Sequence, residues 1–130
     1  MNRQRILLLE NDAPTESFLC ELFGDEGLDV TLCGSLSELL ANVAQYPQAA
    51  VISDSWADGE YQTLTPQHRG EIVALAGMAE IVLTTGRAWA RHIQQGELGT
   101  ATIVEKPYDV SRLMIAVRTA LGRARARIRE

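Results

Sequence analysis

No run in the sequence approaches the roughly 18 unbroken apolar residues that a membrane-spanning helix needs, so no membrane segment is expected. The opening Met-Asn-Arg-Gln-Arg leads only into Ile6 to Leu9, too short an apolar stretch for a secretory signal, and a cytoplasmic location is expected. Cysteine is scarce. Cys20 and Cys33 have neither the spacing of a metal knuckle nor the density of a disulfide scaffold; both stand in apolar stretches and read as reduced core residues. His68 and His92 are isolated and without ligand spacing, which predicts two surface histidines with no assigned role. Repeats, low-complexity segments and interdomain linkers are absent. Lysine is the rarest of the charges: Lys106 stands alone beside eleven arginines.

What is present suits one α/β domain. A chain of 130 residues with 46% hydrophobic residues has material for a single buried core. The net charge of -5 hides an asymmetry, because residues 1 to 111 carry sixteen acids against six bases, while residues 112 to 130 carry one acid against six arginines. An acidic body repels nucleic acid over most of its surface, so direct nucleic-acid binding is not expected. The division expected is a domain over 1 to 122 and an arginine-rich end of the last helix over 123 to 130, with Gly122 a point at which that end can fray. Arginines 118, 123, 125, 127 and 129 either form a docking surface for an acidic partner or solvate the helix end, where cations suit the dipole.

The hydrophobic period alternates between strand and helix. Ile6 to Leu9, Val30 to Cys33, Ala49 to Ser53, Ile81 to Thr85 and Ala101 to Val104 are short runs, apolar on both faces as buried parallel strands are. Between them, Phe18, Leu19, Leu22 and Phe23 mark a helix from about Pro14 to Glu26. Ser35 caps a second helix with Leu36, Leu39, Leu40 and Val43 on its buried face. Thr65-Pro66 starts a third carrying Ile72, Val73 and Leu75, and a weakly periodic fourth is placed over about 88 to 95. Asp109 caps a fifth, with Leu113, Met114, Val117, Ala120 and Leu121 as its stripe. Five βα units with right-handed crossovers make an open, doubly wound sheet whose sites lie at the carboxyl ends of the strands.

Those ends carry Glu10, Asn11 and Asp12 after the first strand, Asp54 after the third, Thr85 after the fourth, and Lys106-Pro107 after the fifth. An aspartate attacks a phosphoryl group only if a cation neutralises the charge crowded around both, and hard oxygen ligands hold Mg²⁺ for that purpose. A lysine and a hydroxyl then stabilise the transferred oxygens. Thr84 competes for the hydroxyl role, but strand alternation and the Thr85-Gly86 strand end favour Thr85. A compact ammonium is not interchangeable with a guanidinium, which gives the lone lysine independent weight.

These pieces resemble the receiver domains of two-component response regulators over nearly the whole chain. Ile-Leu-Leu-Leu-Glu-Asn-Asp (6 to 12) looks like the family's first-strand motif and Val51-Ile52-Ser53-Asp54 like its phosphoacceptor strand. Ile81 to Gly86 resembles the switch-threonine strand, and Lys106-Pro107-Tyr108 the lysine, cis-proline and aromatic triplet. Each is weak alone; the four in order are specific. The resemblance implies a flavodoxin-like parallel sheet of five strands in the order 2-1-3-4-5 with five helices. It also implies Asp54 as phosphoacceptor, Mg²⁺ held by Glu10, Asn11, Asp54 and the backbone carbonyl of Trp56, Thr85 as switch hydroxyl, Lys106 as phosphoryl-binding cation, and a cis peptide before Pro107.

The sequence departs from the family in three places. Asn11 replaces the second metal-site acid; it still offers an oxygen but removes a negative charge, so weaker Mg²⁺ binding is expected. Asp12 reads as a helix cap in preference to a substitute ligand. Ser55-Trp56-Ala57-Asp58-Gly59 is about three residues shorter than the family's loop, and Trp56 either gates access to Asp54 or folds over the core edge. Ile103 stands where many receivers carry a switching aromatic.

The function expected is a signalling module in preference to an enzyme: phosphorylated on Asp54 by a sensor histidine kinase or histidine phosphotransfer protein, and acting by phosphorylation-dependent protein binding or phosphorelay. A downstream protein target is implied, and a homodimer is left open. The second reading is a degenerate receiver serving as a phosphorylation-independent interaction module. A flavin-binding domain lacks a phosphate-cradling loop after strand one, and an aspartate-nucleophile phosphatase wants an acid where Trp56 stands.

Overall fold

Short Leu-, Val- and Ile-rich runs become strands and the longer amphipathic stretches helices in the computed structural model, which describes residues 3–54, 65–86, 90, 93–94 and 96–128. The order is β1 (Arg5–Leu9), α1 (Ala13–Asp25), β2 (Asp29–Leu32), α2 (Leu36–Gln45), β3 (Ala50–Asp54), α3 (Pro66–Ala76), β4 (Glu80–Thr85), β5 (Thr102–Glu105) and α4 (Val110–Ile128). All strand pairs are parallel and the sheet runs β2-β1-β3-β4-β5. The helix expected over 88 to 95 falls mostly outside the described residues, so among the described residues four helices are seen, and the last is α4.

Side-chain alternation builds two cores on this sheet. Leu7, Leu9, Val51, Ile81 and Leu83 face α2 and α3, whereas Ile6, Leu8, Ala50, Ile52 and Val82 face α1 and α4. The chain first moves outward from β1 to β2 and then returns to the other side of β1 for β3. Crossovers of one hand must therefore place helices on opposite faces, and the reversal opens a crevice at the carboxyl ends of β1 and β3. The three central strands are the most deeply buried: β2 and β5 are edges with half-buried side chains, and Leu32 is half-exposed, contrary to the expectation of five fully buried runs.

The helix starts follow from local chemistry. Asp12 accepts the Thr15 N–H at 3.0 Å and the Thr15 hydroxyl, Ser35 accepts the Glu38 N–H at 3.2 Å, and Thr65 accepts the His68 N–H at 3.1 Å. Asp109 accepts from Ser111 N–H at 2.7 Å. Each satisfies an orphan donor of a first turn. After α1 the chain turns through Gly27, whose φ of 79° is left-handed and favours glycine.

Helix faces are narrower than the periodicity suggested. Leu19 and Phe23 are buried, but Phe18, Leu40 and Val73 are exposed by 40% or more, because one helix against a flat sheet covers a stripe and leaves its flanks in solvent. His68, expected at the surface, is buried on α3. Cys33 is buried and Cys20 partly so; both are free thiols, and burial pushes both above the usual thiol value, with nearby Glu38 and Glu16 acting in the same direction. Helix α4 runs unbroken through Gly122, with Ala124 buried against the domain, so the arginine-rich end continues the helix. Among the described residues no helix is long and apolar enough to cross a membrane.

Candidate functional site

The carboxyl ends of β1, β3, β4 and β5 bring Glu10, Asp54, Thr85 and Lys106 to one edge of the sheet. Glu10 is the first residue past β1, where the chain leaves the sheet before Asp12 opens α1. Its side chain is 1% exposed, and both carboxylate oxygens are held: Oε1 accepts from Lys106 Nζ at 2.9 Å and Oε2 from the Asp12 N–H at 3.1 Å. A buried carboxylate needs such partners to remain charged.

Asp54 is the last residue of β3, and its Oδ2 lies 3.6 Å from the same ammonium. Lys106 thus stands between two carboxylates. It is placed there by its own backbone, whose N–H donates to the Thr85 carbonyl at 2.8 Å and ties the end of β5 to the end of β4; the Lys106–Pro107 peptide is cis. Burial works against the charge on Lys106, but the hydrogen bond to Glu10 and the fields of Asp54 and Glu10 prevail and hold its pKa above the usual lysine value. The phenol of Tyr108 is also pushed up, first by burial and then by the two carboxylates, against the opposing pull of Lys106.

Thr85 ends β4 and is fully buried. Its neighbour Thr84, also buried, turns its hydroxyl to the Ser53 carbonyl at 3.5 Å, as alternation along a strand requires of adjacent residues. Asp12 is a cap: its two bonds from Thr15 hold its carboxyl below the ordinary value. Asn11 is exposed on the β1–α1 loop. Trp56, to which both gating and a carbonyl ligand were ascribed, lies outside the described residues, as does His92. Ile103 is half-buried and packs on the α2–α3 core.

The periodicity of α1 concealed one feature of this edge. Phe18 does not enter the core; with Pro14 and Thr15 it forms one wall of a groove of about 390 Å³ whose other wall is Lys106, Pro107 and Tyr108. An aromatic at a helix-stripe position reads as core, but Phe18 lies on the flank of the stripe that α1 buries against the sheet. Among the described residues, no three His, Cys, Asp or Glu side chains are grouped to hold a metal ion.

Neither a protein-family model nor the sequence of a curated protein matches the chain. Solved structures do. The signal receiver domain of an HD domain-containing protein from Pseudomonas fluorescens Pf-5 superposes with a TM-score of 0.70 at 20% identity, covering 96% of this chain and 99% of that one. The BeF3-activated N-terminal receiver domain of RstA from Klebsiella pneumoniae gives 0.70 at 20% identity over 91% and 98%. The response regulator StyR gives 0.73 at 16% identity over 98% of this chain, which spans 64% of StyR. The chain has the fold of response-regulator receiver domains.

Proposed function

We propose that this chain is a phosphoacceptor receiver in two-component signalling, phosphorylated on Asp54. The observation that carries the reading is the single ammonium, Lys106 Nζ, lying 3.6 Å from Asp54 Oδ2 at the carboxyl edge of a receiver-type sheet. In the reaction, Asp54 Oδ attacks the phosphorus of a phosphohistidine, the P–N bond breaks with its electron pair leaving to the imidazole, and an acyl phosphate forms. Lys106 donates to the transferred oxygens, and the Thr85 hydroxyl is the second donor and the switch. The phosphodonor is a sensor histidine kinase or a histidine phosphotransfer protein, and the groove beside Phe18 and Tyr108 is an apolar foothold next to Asp54. The output is protein binding or relay in the cytoplasm.

Glu10 and Asp54 are donors of the right kind for Mg²⁺, and Asn11 adds a neutral oxygen. When bound, the ion neutralises charge around the acceptor. Because Glu10 already has both oxygens engaged, one of them by Lys106, the ion competes with an internal ammonium, and its affinity is low. That same ion pair favours the second reading, a degenerate receiver in which Lys106 takes over the cation's place permanently and the domain binds partners without phosphorylation.

Incubation with acetyl phosphate or beryllofluoride across a Mg²⁺ series, followed by intact mass and tryptophan fluorescence, separates the two. The phosphoacceptor reading expects a metal-dependent response that Asp54→Asn abolishes. Silence at every Mg²⁺ concentration, with the fold intact, establishes the degenerate reading.

A further inference from the structure

At the opposite edge, where the strands begin, we infer a binding site for a small polyphosphorylated ligand. Arg3 and Arg5 at the start of β1, Asp29 at the start of β2, Tyr46 and Gln48 before β3, and Arg125 from the last turn of α4 line one groove of about 670 Å³. Its lining holds three guanidinium groups and one carboxylate, a local charge of +2 on a domain body that is otherwise acidic. The ends of α2 and α4 lie nearby and contribute about half a negative charge each, so about one positive charge survives even in full opposition.

Two of the arginines are already held in place. Arg5 donates from Nη1 to Thr31 Oγ1 at 2.7 Å and lies with its Cζ 4.3 Å from the Tyr46 ring centroid. Asp29 is shared, at 3.2 Å from Arg3 and 3.9 Å from Arg5, so one carboxylate serves two cations. Arg125 adds a third cation with no matching acid in the groove, and Gln45 and Gln48 add neutral amide donors. Rigid forks of this kind suit phosphate oxygens.

Three guanidinium groups against one carboxylate exceed what one phosphate needs, which points to a ligand with two or more. A polyanionic macromolecule is disfavoured, because residues 1 to 111, with sixteen acids against six bases, repel it over most of the remaining surface outside α4. The ligand class is therefore a diphosphate or triphosphate small molecule, inorganic or carried on a nucleoside.

The test is a titration of the full chain with pyrophosphate, ATP and adenosine at constant ionic strength and without Mg²⁺, read by calorimetry and thermal midpoint. Pyrophosphate and ATP should bind saturably and raise the midpoint, adenosine should do neither, and the paired change Arg3→Gln with Arg125→Gln should weaken binding at least tenfold. Arg112→Gln and Asp54→Asn should leave it unchanged, and Asp29→Asn should tighten it. Equal affinity for ATP and pyrophosphate identifies the phosphates alone as the ligand; ATP tighter by tenfold or more identifies a nucleotide. No saturable binding, or binding equally weakened by Arg112→Gln, overturns the inference.

Discussion

The two edges of the sheet carry opposite charge arrangements. At the carboxyl edge, two carboxylates converge on one ammonium and one of them, Glu10, is buried; at the amino edge, three guanidinium groups line a groove with one carboxylate, which pairs with two of them and whose side chain is 37% exposed. Burial decides what each arrangement is worth. Charges kept from water depend on each other, whereas charges left in water are largely screened and remain available to a ligand. One edge is therefore a tightly coupled unit, and the other an open receptor.

Breaking the coupled edge has the largest expected effect. Lys106→Met leaves Glu10 buried without its cation and should lower stability by about 2 kcal/mol at pH 7, read from urea unfolding. A change below about 0.5 kcal/mol would show the ion pair to be incidental. The same edge should fail on the alkaline side. Lys106 has a folded pKa above its unfolded one, so its stabilisation is complete below the unfolded value near 10 and is lost as pH rises through the folded value. Tyr108 is raised as well, which favours its neutral form in the fold and gives the same sign. The urea midpoint of the native chain should fall above about pH 10, and less steeply in Lys106→Met or Tyr108→Phe.

The amino edge should respond weakly. Asp29→Asn removes the acid shared by Arg3 and Arg5 and should cost under about 1 kcal/mol, since the pairs are exposed. A larger loss would make this edge structural and erase the contrast. Next to it, Arg127 donates to the Gly77 carbonyl at 3.0 Å and lies 3.8 Å from buried Glu80, clasping the end of α4 to the corner between α3 and β4. Arg127→Ala should cost about 0.5 kcal/mol and speed hydrogen exchange in the last turns of α4. The effect most confined to a single helix is expected from Asp12→Ala, which removes the α1 cap. The pKa of Asp12 is depressed in the fold, so its contribution is present above the unfolded carboxylate value and lost as pH falls. The difference in thermal midpoint between native and variant should shrink at strongly acid pH, where only the capping strength of the neutral carboxyl is left.

Much of this was legible in the chain. Asp12, Ser35, Thr65 and Asp109 act as caps because a capping bond spans two or three residues and depends on nothing distant. Lys106 was conspicuous by its scarcity and its place before a proline. By contrast, Phe18, Leu40 and Val73 sit at helical spacing yet face solvent, and His68 reads as polar yet is buried, because burial depends on the width of the surface a helix meets. Neither the choice of Glu10 as partner for Lys106, 96 residues away, nor the meeting of Arg3 and Arg5 with Arg125 has a local signature.

By itself the sequence determined the order of strands and helices, their caps, and which residues stand at the strand ends, since each depends on hydrophobic period and short-range hydrogen bonding. Only the tertiary structure decided which charges are coupled. Parallel strands return to the same edge only through long crossovers, so each edge gathers residues from distant parts of the chain, and the depth at which they meet sets whether they hold each other or face the solvent.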